Sequence, residues 1–203
     1  MTIRELCSVI GSALHVPDVQ RWAAPLVRAG LLPRAGAEVD VSAAAVLLLA
    51  VAAAPDPKDA PRIVAGLGAL PLLCLERNDG GLALEKWAPA TEEDLSLVSP
   101  DPGHAVAWAI ESASMPADTE GKFQFGRLRI EEGGVNALLH GWVLFGGVVR
   151  EYRALYAMPG PGISPPLRRL VEIQASAINA VADALTPADE RIVTHEAATL
   201  TLH

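Results

Sequence analysis

The sequence has few of the features that mark membrane-embedded or secreted proteins. Aromatic residues make up only 4% of the 203 residues, and there are two cysteines. The longest apolar run, residues 43–55, is too short to span a bilayer. The first residues lack the basic and then apolar layout of a signal peptide. We therefore expect a soluble, cytoplasmic protein that does not contact a membrane.

Recognisable catalytic and cofactor-binding patterns are also missing. The five histidines have no mutual spacing that suits a metal, and neither cysteine pairs with one. No Gly-x-Ser-x-Gly elbow is present, and the glycines at 160 and 162 lack the Lys-Ser/Thr of a phosphate-binding loop. We interpret Cys7 and Cys74 as buried free thiols and His140 as a hydrogen-bonded packing residue. These absences predict no metal, no cofactor and no enzymatic activity.

Charge is unevenly spread along the chain. The net charge is −8, yet residues 1–75 contain six basic and six acidic side chains, so the whole deficit lies in residues 76–203. An acidic protein is a poor non-specific ligand for nucleic acid, because phosphate contacts depend on local Lys and Arg. A neutral N-terminal region is still compatible with weak DNA binding, or with binding as an oligomer.

The N-terminal region has the pattern of short helices. Thr2 and Glu5 form a capping box that predicts the start of a first helix. A second helix opens at Pro17 and closes at Gly30, and Pro25 predicts either a kink in it or a break into two pieces.

Further helices follow a short connecting segment. Residues 34–41 are compatible with a short β wing or with an ordered loop. Ser42 is expected to cap a third helix, residues 43–54, whose apolar character on all sides predicts burial on more than one side. A fourth helix is predicted from residue 56 to about residue 70.

The remainder of the chain has the pattern of strands. The residues from Glu76 to Gly81 have the composition of a turn and are our predicted domain boundary. Lys122–Glu132 predicts a strand with a bulge at Gly126, where the alternation changes phase. Two more strands are favoured between residues 135 and 157, although helical spacing there leaves a helix open. Further elements are predicted as strands at 82–87, 103–114 and 167–173 and as a helix from 175 to 186.

These patterns together predict an α+β fold. We expect an N-terminal helical domain of winged helix-turn-helix type, residues 1–75. A mostly antiparallel β domain with one packed helix follows, residues 82–203, and mediates oligomerisation or partner binding.

One part of the acidic region is locally basic. Arg127 and Arg129 share a face of their strand by period two, whereas Arg150 and Arg153 share a face only if a bulge intervenes. The candidate patch contains Lys122, Arg127, Arg129, Arg150 and Arg153, with Arg168 and Arg169 nearby. It is suited to nucleic acid or to an acidic partner or second subunit, and the alternative is that these residues pair with neighbouring carboxylates.

A resemblance to known DNA-binding domains rests on three short stretches. These are Thr2-Ile3-Arg4-Glu5-Leu6, Val19-Gln20-Arg21-Trp22 and Leu26-Val27-Arg28-Ala29-Gly30-Leu31-Leu32-Pro33. The order of these stretches resembles MerR-type and phage small-terminase winged helix-turn-helix domains and the opening of uncharacterised prophage proteins, and it covers residues 2–54.

The chain departs from the MerR pattern in three ways. Its turn between the helices is longer, Pro25 interrupts the recognition helix, and Glu38 and Asp40 stand in the wing. If the resemblance holds, the side chains that face DNA are Gln20, Arg21, Arg28 and Arg34, which are suitable types for base and phosphate contacts. The alternative is that they form the solvated face of a small helical domain.

The resemblance implies a function that the residues alone do not reveal. We expect a non-enzymatic phage- or prophage-type protein, a regulator or packaging accessory, that contacts double-stranded DNA and forms a homo-oligomer. One alternative is a protein-interaction module, such as a phage inhibitor whose acidic surface imitates phosphate and binds a protein partner. A small-molecule-binding enzyme is the third hypothesis.

Overall fold

A computed structural model of the chain describes residues 1–34, 36–78, 88–89, 99–116, 118–131, 134, 136–145, 147–158 and 170–187. The first half is helical, with α1 (Ile3–Leu14), α2 (Gln20–Arg28), α3 (Val41–Ala53), a 3-10 turn (Pro57–Asp59) and α4 (Ala60–Gly68). The second half adds β1 (Leu72–Asn78), β2 (Ala88–Pro89), α5 (Pro102–Ala113), β3 (Phe123–Glu131), β4 (Asn136–Phe145), β5 (Val148–Ala157), β6 (Leu170–Gln174) and α6 (Ala175–Leu185).

The expected α+β class, with N-terminal helices followed by an antiparallel sheet, is confirmed. The strands form one sheet in the order β2-β1-β5-β4-β3-β6, and every neighbouring pair is antiparallel. The bulge predicted at Gly126 is present, because the β3–β4 register shifts between Phe125 and Arg127. A Cβ atom at Gly126 would lie 2.8 Å from the Trp142 ring. The two strands favoured between residues 135 and 157 are confirmed as β4 and β5.

Helix α3 lies at the centre of the molecule, as its apolar character on all sides predicts. Ten of its 13 residues are buried, and it contacts α1, α2, α4 and α5 as well as β3 and β6. Helix α1 also packs against α6, so the first and last helices of the described chain meet. The division into residues 1–75 and 82–203 stays a prediction, and one hydrophobic cluster contains side chains from both parts.

The strand predicted over residues 103–114 is wrong, because this segment is helix α5. Asp101 caps the helix, since its side chain accepts hydrogen bonds from the backbone N–H groups of Gly103 and His104. Alanines that alternate with larger apolar residues give the period of two that is typical of a strand. However, Ala105 and Ala109 also lie one helical turn apart, and both are buried. Among its described residues, the second region therefore has two packed helices, α5 and α6, rather than one.

Three boundaries in the helical region differ from the predictions. Residues 76–78, predicted as part of a turn, continue β1. Asp40 rather than Ser42 caps α3, because its carboxylate accepts the N–H of Ala43 at 2.7 Å. Helix α2 begins at Gln20 rather than at Pro17. Of the two alternatives at Pro25, the break into two pieces is wrong, because α2 runs through that residue. Proline there lacks the N–H that would donate to the carbonyl of Arg21, and its ring crowds that carbonyl.

The segment that follows α2 is compatible by sequence with a short β wing or with an ordered loop. It contains no strand in its described residues, 34 and 36–40. It is an ordered loop there, because the N–H of Val39 donates to the carbonyl of Met1 at 3.0 Å and the Val39 side chain is buried. The strand predicted over residues 82–87 lies outside the described residues, as do Arg168 and Arg169. Within the described chain, no helix is both long and apolar enough to cross a membrane.

Candidate nucleic-acid interface

The start of α1 is held by the predicted capping box. The Thr2 hydroxyl accepts the N–H of Glu5 at 3.4 Å, and the Glu5 carboxylate accepts the N–H of Thr2 at 2.7 Å. These hydrogen bonds hold the pKa of Glu5 below its ordinary value. The apolar residues Leu6, Cys7 and Ile10 turn one side of α1 towards the core. The opposite side of the helix, which includes Arg4, is therefore left to solvent.

Helix α2 is oriented by its contact with the end of α3. The indole N–H of Trp22 donates to the carbonyl of Ala54 at 2.8 Å, and Ala23 and Leu26 are buried. The helix ends at Arg28 and is closed by Gly30, which has φ 72. The following N–H, that of Leu31, donates back to the carbonyl of Leu26 at 2.9 Å. This left-handed residue is the C-terminal glycine that the sequence predicts.

All four residues predicted to face DNA are exposed: Gln20, Arg21, Arg28 and Arg34. Arg21 and Arg28 are seven residues apart on α2, which places them within about 20° of each other around the helix axis. Arg28 donates from Nε to the carbonyl of Ala24 at 3.4 Å. Among the described residues, none of the three arginines has a carboxylate partner within 4.0 Å.

A groove between α1 and α2 brings two of these residues together with a third. Its volume is about 590 Å³, and its lining includes Arg4, Gln20 and Arg28. Arg4 is not among the residues that the resemblance places on DNA, although its exposure follows from its place outside the Leu6, Cys7 and Ile10 stripe. Arg34 is exposed after the end of α2 and is not among the residues that line this groove.

The sheet has a second set of arginines on its outer face, by which we mean the face opposite α5 and α6 that bears Arg127, Arg129, His140, Glu151 and Arg153. Here two of the three arginines, Arg129 and Arg153, are paired with carboxylates. Arg129 donates from Nε to Glu172 at 2.8 Å. Arg153 donates to Glu76 and to Glu151, each at 3.4 Å. Two cross-strand pairs, Arg129 with Glu172 and Arg153 with Glu76, and one pair within β5, Arg153 with Glu151, therefore engage both guanidinium groups.

His140 belongs to the same network. Its Nε2 lies 2.7 Å from Oε1 of Glu151, and its ring centroid lies 4.6 Å from that of Trp142. The hydrogen bond from His140, followed by the charges of His140 and Arg153, holds the pKa of Glu151 below its ordinary value. The hydrogen bond from Arg129 does the same for the pKa of Glu172. The prediction that His140 is a hydrogen-bonded residue is therefore confirmed.

The five residues of the candidate basic patch do not lie together. Arg127, Arg129 and Arg153 share the outer face, but the β4–β5 register is unbroken and pairs Arg150 with Val143, a buried residue on the helix side. The bulge needed to bring Arg150 and Arg153 to one face is absent from this pair of strands. Lys122 precedes β3, and its amino group donates to the carbonyl of Met115. It lines a groove of about 400 Å³ between α5, α6 and β3.

Neither cysteine forms a disulfide. Cys7 is buried and Cys74 is half-buried, and burial raises the pKa of both thiols, with the charge of Asp18 adding to the effect at Cys7. Within the part of the chain that the structure describes, no three His, Cys, Asp or Glu side chains are grouped so that they could hold a metal ion.

Comparison of the chain with protein-family models, with curated proteins and with solved structures finds no match. The features that bear on function are therefore the exposed residues of α2 and the outer face of the sheet.

Proposed function

We propose that this protein binds double-stranded DNA, without catalysing a reaction, through the exposed face that carries Gln20, Arg21, Arg28 and Arg34. One observation carries the proposal. The arginines of this face have no carboxylate partner among the described residues, whereas Arg129 and Arg153 on the sheet are paired with glutamates. An unpaired, exposed guanidinium group can bind a phosphate without first breaking an ion pair.

The surroundings of this face also favour an anionic ligand. Residues 1–34 contain four arginines and two acidic residues, and one of the two, Glu5, is already engaged in the cap of α1. Gln20 adds an amide that can donate to and accept from base edges. The net charge of −8 for the whole chain opposes non-specific binding, so we expect modest affinity from a single copy. A homo-oligomer that presents two such faces would bind more tightly.

The resemblance to MerR-type and phage small-terminase domains adds a biological context to this proposal. In that context, the protein is a phage- or prophage-type regulator or packaging accessory. Its second region, from β1 onward, holds copies of the chain together.

The test is fluorescence anisotropy on a labelled random duplex, first at low salt and then over a salt titration. We expect binding that weakens as salt is added, because each phosphate contact releases counterions. The variant Arg21→Ala/Arg28→Ala should lower the slope of log K against log salt by about 1.8, since each lost contact contributes about 0.9. It should also lower affinity at low salt on the order of tenfold, given about 1 kcal/mol or less per contact.

The matched control is Arg129→Ala/Arg153→Ala, which removes the same charge from the outer face. This control should leave the salt slope unchanged, and circular dichroism would verify that both variants are folded. An equal loss of affinity in the two variants would contradict the proposal, because it would show a response to net charge alone. No binding by the unaltered protein at low salt would also contradict it and would favour the acidic protein-interaction module.

A further inference from the structure

Helix α1 presents a polar stripe beside the proposed DNA-binding face. Arg4, Ser8 and Ser12 follow one another at a spacing of four residues, so they lie on one side of the helix, and His15 caps its C-terminal end. All four side chains are exposed. None of them is among the residues that the sequence analysis assigned to DNA.

Two grooves meet along this stripe. The larger has a volume of about 800 Å³ and is lined by the whole stripe together with Asp18 and Gln20. The smaller, of about 590 Å³, is lined by Arg4, Gln20 and Arg28. Because Arg4 and Gln20 line both, the two grooves adjoin one another, and together we call them the α1–α2 channel. It extends from His15 at one end to Arg28 at the other.

The chemistry of the α1–α2 channel is that of a site for phosphate groups. The guanidinium groups of Arg4 and Arg28, the amide of Gln20 and the serine hydroxyls are all donors of the kinds that contact phosphate oxygens in protein–DNA complexes. Asp18 is the one carboxylate among the residues that line the two grooves. The negative charge of Asp18 repels an anionic ligand, so removing this charge should strengthen binding.

We propose that the α1–α2 channel holds one phosphodiester strand of a DNA duplex, with Arg4, Ser8 and Ser12 as phosphate contacts. This inference rests on the proposed function, because α2 supplies the opposite wall of the channel. It adds two consequences. Helix α1 contributes to the salt dependence of DNA binding, and the charge of Asp18 weakens that binding.

Asp18→Asn is a sharp test because it changes charge with little change of shape. Asp18 has φ 54, in the left-handed region that asparagine adopts readily. We expect Asp18→Asn to raise duplex affinity at low salt by about threefold, the effect of removing one charge near a phosphate. The matched control is Asp118→Asn, an exposed residue outside both grooves, which should leave affinity unchanged.

Arg4→Gln removes a positive charge from the α1–α2 channel and tests for the opposite change in DNA binding. Arg4 is exposed and has no ion pair among the described residues, so the substitution should leave folding intact. We expect the salt slope to fall by about 0.9, so that the loss of affinity between 50 and 200 mM salt becomes about threefold smaller. Arg62→Gln, at an exposed residue of α4 that pairs with Asp59 at 3.3 Å, is the matched control and should leave the slope unchanged.

The outcomes separate the two proposals. If Arg21→Ala/Arg28→Ala weakens binding while Arg4→Gln and Asp18→Asn bind as the unaltered protein does, DNA binding stands and the inference about the α1–α2 channel is overturned. If Asp118→Asn strengthens binding as much as Asp18→Asn, the effect is one of net charge and the inference is again overturned. If the unaltered protein does not bind the duplex at low salt, both proposals fail.

Discussion

Arginines occur on two surfaces of this protein and are used differently on each. On α2 they project into solvent, and none has a carboxylate partner among the described residues. On the outer face of the sheet, Arg129 and Arg153 are bound to Glu172 and Glu76 from neighbouring strands. Residue type alone therefore does not identify a phosphate-binding surface, because a guanidinium group that already holds a carboxylate is the less available one.

The difference follows from the geometry of the two elements. Side chains directly opposite on neighbouring strands have Cβ atoms roughly 5 Å apart, so a glutamate there is within reach of an arginine. Arg129 is directly opposite Glu172, and Arg153 is directly opposite Glu76. Helix α2, by contrast, contains no acidic residue in its sequence QRWAAPLVR, so no ion pair within that helix can form at the spacing of three or four residues.

The largest change in stability is expected from Gly126→Val, a substitution in the β3 bulge beneath the outer face. A Cβ there would lie 2.8 Å from the Trp142 ring and 2.9 Å from the carbonyl oxygen of His140. We expect a loss of about 2–4 kcal/mol in the free energy of unfolding, measured by urea titration, because the backbone must move.

The control for this substitution is a glycine in the helical region. A Cβ at Gly66, in α4, would meet nothing within 4 Å, so Gly66→Ala should stabilise the protein by about 0.5–1 kcal/mol. If both substitutions cost stability equally, the close packing above the bulge would not be what requires glycine at position 126.

A smaller effect is expected from removing one arginine of each surface. Arg153→Ala leaves Glu76, whose side chain is 11% exposed, without its partner, and we expect a loss of about 1 kcal/mol in the free energy of unfolding. Arg21→Ala should change this free energy by less than about 0.5 kcal/mol, because no ion pair is lost. Chemical denaturation of both variants measures the contrast, and equal losses would show that the network on the sheet contributes little.

The smallest effect concerns the pH dependence of stability. The pKa of Glu151 in the folded protein lies below its ordinary 4.5, so this carboxylate stabilises the fold above pH 4.5. The contribution is lost as the pH falls through the lowered value. Glu151→Gln should therefore make the free energy of unfolding fall less steeply on acidification from pH 5 to pH 3.

Glu111→Gln, at an exposed residue of α5, is the control for the acidification experiment. It removes a carboxylate for which no hydrogen bond is recorded among the described residues. A pH dependence that is the same in the Glu151 variant as in the unaltered protein would mean that the hydrogen bond from His140 has no energetic consequence.

Local patterns predicted much of the fold. The capping box of Thr2 and Glu5, the glycine that ends α2, the bulge at Gly126 and the last helix all depend on residues close together in sequence, and all are present. Exposure of the four residues on and after α2 is consistent with the predicted site. Helix α5 was missed because alanine is compatible with either periodicity, so that Ala105 and Ala109 fit a strand as well as a helix.

Sequence by itself determined the start of α1, the glycine that closes α2, the bulge in β3 and the extent of α6, because caps, glycines and side-chain periodicity act over a few residues. Only the tertiary structure decided which arginines are paired. Arg129 and Glu172 are 43 residues apart in the chain, and Arg153 and Glu76 are 77 apart. It also decided that Arg4 and Gln20 line one channel. Partners of this kind depend on strand order and helix packing, which no local pattern encodes.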